Sequence, residues 1–385
     1  MIGFALSEEQ VAVRDAARRF AAEVIRPVAA RHDESGEFPT AAVEQALELG
    51  LLYGNVPEEL GGPGLGLLEE CIVAEEIAWG CAGFFAAWAA SSLAMSAVLS
   101  HGDPRQKERY VRGALADRKL CAFALSEPDA GSDAGGIRTR ARRQGDHYVL
   151  DGAKQWTTNA GHADFIVVFA ATDPSKRHAG LSAFIVDRDS PGLRLGPRED
   201  MAGMRCADTR SLTLDACVVP ADNLLGREGD GFRVAQAGFH HSRPQIAAAA
   251  TGIARAAMEH ATRYAIERKA GGKLLTSYQA IQLMLADMAN LVEASRLLTW
   301  LAAWRVDQGL RADKESAMAK CFASDAAMRV TTDAVQIFGG FGLTRDYPVE
   351  KLMRDAKVMQ IIEGTNQVMR LVTAVELVAE VVRDR

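Results

Sequence analysis

The chain has 385 residues, 48% of them apolar, which is long enough for two or three domains around a large core and too apolar for a disordered polymer. Its 44 basic and 50 acidic residues leave a formal net charge of -6, which argues against a surface built to track nucleic-acid phosphates. No basic stretch followed by an apolar one opens the sequence, so no secretory leader is expected; the six cysteines at 71, 81, 121, 206, 217 and 321 have neither C-x-x-C nor zinc spacing, which suits reduced thiols and a cytoplasmic location.

From Ser7 to about Asp117 the pattern is helical. Ser7 with Gln10 reads as a capping box, and Val11, Ala17, Phe20, Ala21, Val24 and Ile25 recur at helical spacing as far as Pro27. A second helix is predicted from Thr40 to Leu49. The glycine-rich GGPGLG at 61–66 follows Glu58, Glu59 and Leu60 and not a strand, so it reads as a turn. Two further helices, about 67–79 and 84–100, precede a short one after Asp103-Pro104. The second of them is apolar but broken by serines and too short for a membrane span.

Near Leu120 the pattern changes to strands. CAFALSE, HYVLDGAKQWTT, DFIVVFAAT, LSAFIVD, LRLGP and SLTLDACVVP are short, rich in β-branched and aromatic residues, and uninterrupted by helices, which predicts an antiparallel sheet or barrel. After Asn223 the helical period returns over 231–268, 277–308, 314–338 and 349–359, as expected of an antiparallel four-helix bundle. The fold class is therefore α+β, with an N-terminal helical domain (1–119), a middle β domain (120–228) and a C-terminal bundle (229–385).

Polar clusters fall where elements meet. Leu125 to Asp133 runs from a strand end into a turn dense in donors, a pattern shared with solvated loops. Trp156 lies two residues from Thr158 on an alternating strand, hence on the same side; the pair could meet one flat ligand or form an ordinary cross-strand contact. QIFGGFG at 336–342 ends a helix in glycines that allow close approach of a phosphate or ring. In QIIEGTNQVMR at 360–370, Thr365 or Asn366 caps a following helix whose rough apolar stripe includes Val368, Leu371, Val372, Val375, Leu377 and Val378. Glu363 then precedes that helix on irregular backbone, where it either complements the helix N-terminus or presents its carboxylate to a cavity.

These segments together resemble the acyl-CoA dehydrogenase family. CAFALSEPDAGSDAGG is similar to its first signature and QIFGGFGLTRDYPVEKLMRDAKVMQIIEGTNQVMRL to its second. DGAKQWTTNAG, MRCADTRSLTLDACVVP and ERKAGGKLLTSYQAIQ follow the family in order and spacing. The resemblance covers about residues 5–380 and is nearest the medium-chain and short-chain branches.

The resemblance implies FAD between the sheet and the C-terminal helices, with Phe123, Leu125 and Ser126 bordering the flavin, Trp156 against its ring and Thr158 bonded near its reactive nitrogen. Arg268, Gln279, Gln336 and Gly340 match positions that hold the pyrophosphate and adenosine, partly from a neighbouring subunit, and Thr365 and Gln367 complete the set. A cofactor shared in this way implies a homotetramer, a dimer of dimers. Glu363 would take the thioester α-proton while the flavin takes the β-hydrogen as hydride, leaving a trans-2-enoyl thioester. A flavin ribityl hydroxyl and the Glu363 amide would hold the substrate carbonyl. Ser132, His240, Arg243, Ile362 and Gly364 fall on the substrate side.

The sequence departs from the family at Ile362, where the near branches usually carry an aromatic residue, at Gly271, where a ring often packs by the adenine, and at His240, where an Asp commonly stands. His240 is either a substrate contact or a helix-surface residue, and with His241 it makes a poor metal pair, because neighbours on a helix diverge by about 100°. Phe84, Phe85, Trp88, Ala89, Ser92 and Phe239 either shape the acyl pocket or pack the core, which leans toward short or medium acyl chains. The expected substrate is an acyl-CoA and the expected electron acceptor an electron-transfer flavoprotein. The alternatives are an acyl-carrier-protein thioester in a biosynthetic pathway, or an oxidase or flavin monooxygenase. No metal, nucleic acid or membrane span is expected.

Overall fold

A computed structural model describes residues 5–383. Helix α1 (Glu8–Phe20) opens on the expected capping box: the Ser7 hydroxyl accepts from the Gln10 amide, and the Gln10 side chain accepts from the Ser7 amide. The chain does not stop coiling at Pro27. A widened turn, Ala21–Ile25, and a 3₁₀ turn, Arg26–Val28, lead into α2 (Ala29–Ser35). Pro27 has no N–H to give, and the change of turn type shifts the hydrogen-bond frame so that the missing donor falls in a first turn, where none is required.

Helices α3 (Thr40–Glu48), α4 (Leu67–Gly80) and α5 (Ala82–His101) follow, the last two meeting at an extended Cys81. By length and hydropathy α5 could cross a membrane, but 78% of its most apolar window is buried inside the fold, so it reads as a core helix. The short α6 (Pro104–Gln106) and α7 (Gly113–Ala116) lead into the sheet.

The eight-stranded sheet comprises β1 (Leu120–Ala124), β2 (Arg140–Gln144), β3 (His147–Thr158), β4 (Ala163–Ala171), β5 (Leu181–Asp187), β6 (Leu193–Arg198), β7 (Thr209–Pro220) and β8 (Leu224–Leu225). Their order is β6-β7-β3-β2-β4-β5-β8, with β1 set against β4. One expectation needs correction: the sheet is mixed, because β1 runs parallel to β4 and β2 touches β4 through one parallel pair. The remaining pairings are antiparallel. β2 escapes a search for apolar alternation because its sequence, RARRQ, buries only Ala141; its pairing with β3 supplies the order that its composition does not.

Helix α8 (Gly231–Glu267) returns along the molecule and packs on α4 and α5 as well as on its own group. A small hairpin of β9 (Lys269–Ala270) and β10 (Lys273–Leu274) joins it to α9 (Gln279–Asp307) and α10 (Asp313–Phe338). These three long helices pack on one another, and α11 (Val349–Met359) and α12 (Asn366–Arg383) lie against α10, so the expected four bundle helices are joined by the further helix predicted after Thr365. Alanines at 247–250 are fully or almost fully buried in α8, and such small side chains let helices approach closely.

A buried ion pair ties the loop after β1 to β3. Lys154 Nζ reaches Glu127 Oε1 at 2.7 Å and donates to the Leu125 carbonyl at 3.0 Å, while Glu127 also accepts from the amides of Arg138 (2.6 Å) and Thr139 (3.0 Å). Burial brings Lys154 down to about 8. Burial also opposes ionisation of Glu127, but Lys154 and the amide donors hold it below the usual carboxylate range. Glu127→Ala should therefore cost about 3–5 kcal/mol by leaving the ammonium uncompensated, and Glu127→Leu with Lys154→Met should recover most of that loss. Thermal unfolding of the three proteins checks this; a single variant as stable as the parent would exclude it.

Candidate active site

Between α11 and α12 the chain turns through a joint in which Glu363 (φ +55) and Gly364 (φ +92) are both left-handed. For a residue with a side chain this costs about 1–2 kcal/mol, so the surroundings must impose it. Three residues of α10 do so. Asp325 accepts from Gln360 (2.6 Å) before the turn and from Asn366 (2.7 Å) and Arg370 (2.6 Å) after it. Lys320 Nζ donates to the Gly364 carbonyl at 2.7 Å and to Asn366 Oδ1 at 2.9 Å, and the Ser324 hydroxyl reaches that same oxygen at 3.0 Å. The Asn366 amide closes the turn on the Gln360 carbonyl at 3.0 Å. Of the two capping candidates it is the Thr365 hydroxyl that accepts from the Val368 amide, at 3.3 Å.

Glu363 Oε2 accepts from the Ser242 hydroxyl at 2.8 Å. Ser242 and Arg243 lie on α8 just before Pro244, which has no N–H for the His240 carbonyl, so the helix lacks one rung there. The Arg243 guanidinium lies 5.4 Å from the centre of the Phe239 ring, and its buried Nε has no hydrogen-bond partner among the described residues. Burial raises the proton affinity of Glu363, against the opposing pull of the Ser242 hydroxyl, Arg243 and Lys320. The result is a carboxylate of raised proton affinity that is held by a single neutral hydroxyl donor.

The strand-side candidates form a second group. Phe123 is half-buried in β1 against Phe169 (4.7 Å) and Phe239 (6.1 Å). Leu125 is buried, and the Ser126 carbonyl accepts from the Gln155 amide at 2.9 Å. Trp156 has φ +63 and is 56% exposed, and the β3–β7 register slips between Lys154 and Thr157. Simple alternation, which put Trp156 and Thr158 on one side, is therefore interrupted by a bulge that re-aims the indole. Thr158 is half-buried, its hydroxyl 3.0 Å from that of Thr209. Ser132 is exposed in the turn beyond the Glu127–Ala130 bridge.

Arg268, Gln279, Gln336 and Gly340 form a third group, and all are exposed. Arg268 lies 5.3 Å from the Phe341 ring centre, and a Cβ added at Gly340 would meet nothing within 4 Å. Thr365 and Gln367 line a cleft with Asp325, Lys357, Gln360 and Arg370.

On the substrate side, His240 is a half-exposed helix-surface residue paired with Asp313 at 2.6 Å. His241 turns instead to the buried carboxylate of Glu70, which also accepts from Gln245 at 3.1 Å. The two imidazoles diverge as expected, and no cluster that could hold a metal occurs among the described residues. Ile362 and Gly364 are half-buried. The rings of α5 are core: Phe84 packs on Phe20 (5.9 Å), Phe85 on Trp88 (5.6 Å), and the Trp88 indole donates to the Leu51 carbonyl (2.7 Å). Ser92 is buried as well, whereas Ala86, Ala89 and Ala90 are the half-buried positions of that helix segment. Lys320, Ser324 and Asp325 were not singled out from sequence. Their signal was their placement among Ala317, Ala323 and Ala327, which marks a polar set on an inward helix face.

Three family models match the chain: acyl-CoA dehydrogenase N-terminal domain over residues 7–118, middle domain over 122–217 and C-terminal domain over 229–378. The probable acyl-CoA dehydrogenase FadE25 of Mycobacterium tuberculosis is 43% identical over 371 residues, covering 96% of this chain and 95% of its own. Among solved structures, butyryl-CoA dehydrogenase from Megasphaera elsdenii superposes with a TM-score of 0.95 at 38% identity, over 98% of this chain and 100% of that one. The prolyl acyl carrier protein oxidase AnaB superposes with a TM-score of 0.93 at 30% identity, over 97% of this chain and 100% of that one.

Ser242→Ala should raise the proton affinity of Glu363 further, because a donor to the ionised form is lost. The carboxylic C=O stretch of Glu363, followed by infrared spectroscopy against pH, should then persist to higher pH than in the parent. An unchanged titration would show that the hydroxyl does not set this affinity.

Proposed function

The chain belongs to the acyl-CoA dehydrogenase family, and from that premise we propose that it converts a short- or medium-chain acyl-CoA to the trans-2-enoyl thioester with Glu363 as base. It is an FAD-dependent oxidoreductase by family. The observation that carries the proposal is the state of Glu363: held at a strained joint, raised in proton affinity by burial, and engaged by hydrogen bonding only at Oε2. Among the described residues the Glu363 amide has no acceptor, which leaves it available to a thioester carbonyl.

The residues present fit FAD. An exposed indole at Trp156 offers a face to a flat ring, Thr158 and Ser126 offer hydroxyls beside it, and the exposed Arg268 guanidinium suits a pyrophosphate. Bound FAD supplies the hydride acceptor for the β-carbon. In this reading Phe123, Leu125, Ser126, Trp156 and Thr158 hold the ring, Arg268, Gln279, Gln336 and Gly340 the remainder, and Thr365 and Gln367 complete the set. Glu363 abstracts the α-proton, while the Ser242 hydroxyl orients its carboxylate and, with Arg243, lowers the cost of ionising it. Ser132, Ile362 and Gly364 border the same substrate, and His240 with Asp313 stands at the outer edge of the α8 contact.

Electron-transfer flavoprotein as acceptor, a cytoplasmic location and a role in fatty-acid β-oxidation accompany this reading. Self-association is supported by the apolar side chains that one chain leaves exposed on α12, among them Leu371, Val375, Val378 and Val382, each more than 60% accessible. A homotetramer accommodates them and the exposed Arg268 group together. The likeness to AnaB favours a second reading, in which the acyl group arrives on a carrier protein and oxygen reoxidises the flavin.

Glu363→Gln should load FAD and bind thioester but lose turnover by roughly 10²–10⁴-fold; parental turnover in that variant would remove Glu363 from the mechanism. Anaerobic titration with a panel of CoA and acyl-carrier thioesters should bleach the flavin with short or medium acyl-CoA. Bleaching only by carrier thioesters would select the second reading. Sedimentation should give a mass of at least twice 41.4 kDa, and a monomer would exclude the shared site.

A further inference from the structure

We propose that Lys320 is a positioning residue for this reaction, its buried ammonium both fixing the Glu363–Gly364 joint and supplying the uncancelled positive charge that keeps the Glu363 carboxylate ionisable. The inference rests on Glu363 being the base.

Three lysines are buried in the described residues, and the contrast among them is the argument. Lys154 is paired with Glu127 at 2.7 Å and Lys351 with Asp355 at 2.6 Å, as a cation in the interior requires. Lys320 has no exposed surface and no carboxylate within ion-pair distance; both of its hydrogen bonds go to neutral oxygens, the Gly364 carbonyl and Asn366 Oδ1. The nearby carboxylate on its own helix, Asp325, is already taken by Gln360, Asn366 and Arg370. The charge of Lys320 is thus left to act on what remains in reach.

That is Glu363 on the joint, with Arg243 on α8 and Cys321 and Asp325 on α10 completing the set of ionisable groups that face Lys320. Glu363 in turn is faced by Ser242 and Arg243 from α8 and by Lys320 from α10. Burial brings Lys320 down to about 8, so it carries its proton where a base of raised proton affinity operates. A contact ion pair would immobilise the Glu363 carboxylate and depress its basicity. A cation bonded one residue further along the backbone lowers the cost of its ionised form while leaving its free oxygen to the substrate.

The test uses the FAD-loaded protein with butyryl-CoA as probe, following anaerobic flavin bleaching against pH, together with infrared titration of the carboxylic C=O band that Glu363→Gln removes. Lys320→Met and Lys320→Gln should move both the acid limb of the rate and the infrared transition to higher pH, with a rate loss of roughly tenfold below the limb and little loss above it. Lys320→Gln keeps a donor to the joint without the charge, and Lys320→Arg should restore the parental profile. Variants that load FAD and lose only thermal stability, with limb and band unmoved, would overturn the proposal. Parental bleaching in Glu363→Gln would instead remove the base assignment, and the two failures are told apart by that control.

Discussion

The joint between α11 and α12 depends on holding one half-buried carboxylate without an ion-pair partner. Burial raises the proton affinity of Glu363, and a direct guanidinium or ammonium contact would pull it down. The structure takes an intermediate course: a neutral hydroxyl from Ser242 makes the contact, while Arg243 and Lys320 act from beyond hydrogen-bond distance. The rest of the C-terminal architecture can be read as support for that balance. α10 anchors the joint from below through Lys320, Ser324 and Asp325, and α8 delivers Ser242 at the point where Pro244 interrupts its ladder.

The two halves of the site are built differently. The joint is complete within one chain, with its polar groups answered by α8 and α10. Arg268, Gln279, Gln336 and Gly340, proposed for the cofactor side, are exposed, as are the apolar side chains of α12. In the proposed reading such a division would separate proton chemistry, which tolerates little movement, from binding of a long cofactor, which association between subunits would complete.

Much of the fold was legible because its elements carry their own signals. Ser7 and Gln10 form the capping box their spacing announces, β3 and β5 have the bounds their residues suggested, and α11 runs over the predicted Val349 to Met359. What escaped has physical reasons. β2 is held by its neighbours and not by its arginine-rich sequence, and Pro27 is absorbed by a change of turn type that local propensity does not encode. The orientation of Trp156 was argued from an alternation that a bulge breaks. The irregular backbone at Glu363 was anticipated, whereas the burial of Lys320 was not, because a lysine in sequence reads as surface. The rings of α5 were left between pocket and core for the same reason: only packing distinguishes Phe84 and Trp88, which face the core, from Ala89, which is half-buried.

The parallel pairing of β1 with β4 bears on how the molecule comes to exist at all. Every antiparallel neighbour in the sheet between β2 and β5 can form locally as the chain emerges, but β1 must wait, with both the hairpin of β2 and β3 and the start of β4 still to be made, before it has a partner. Closing that long loop is slow in entropic terms. β1 leads directly into Leu125, Ser126 and the Glu127 anchor, so the wall proposed to meet the flavin cannot take its shape before β4 has been synthesised.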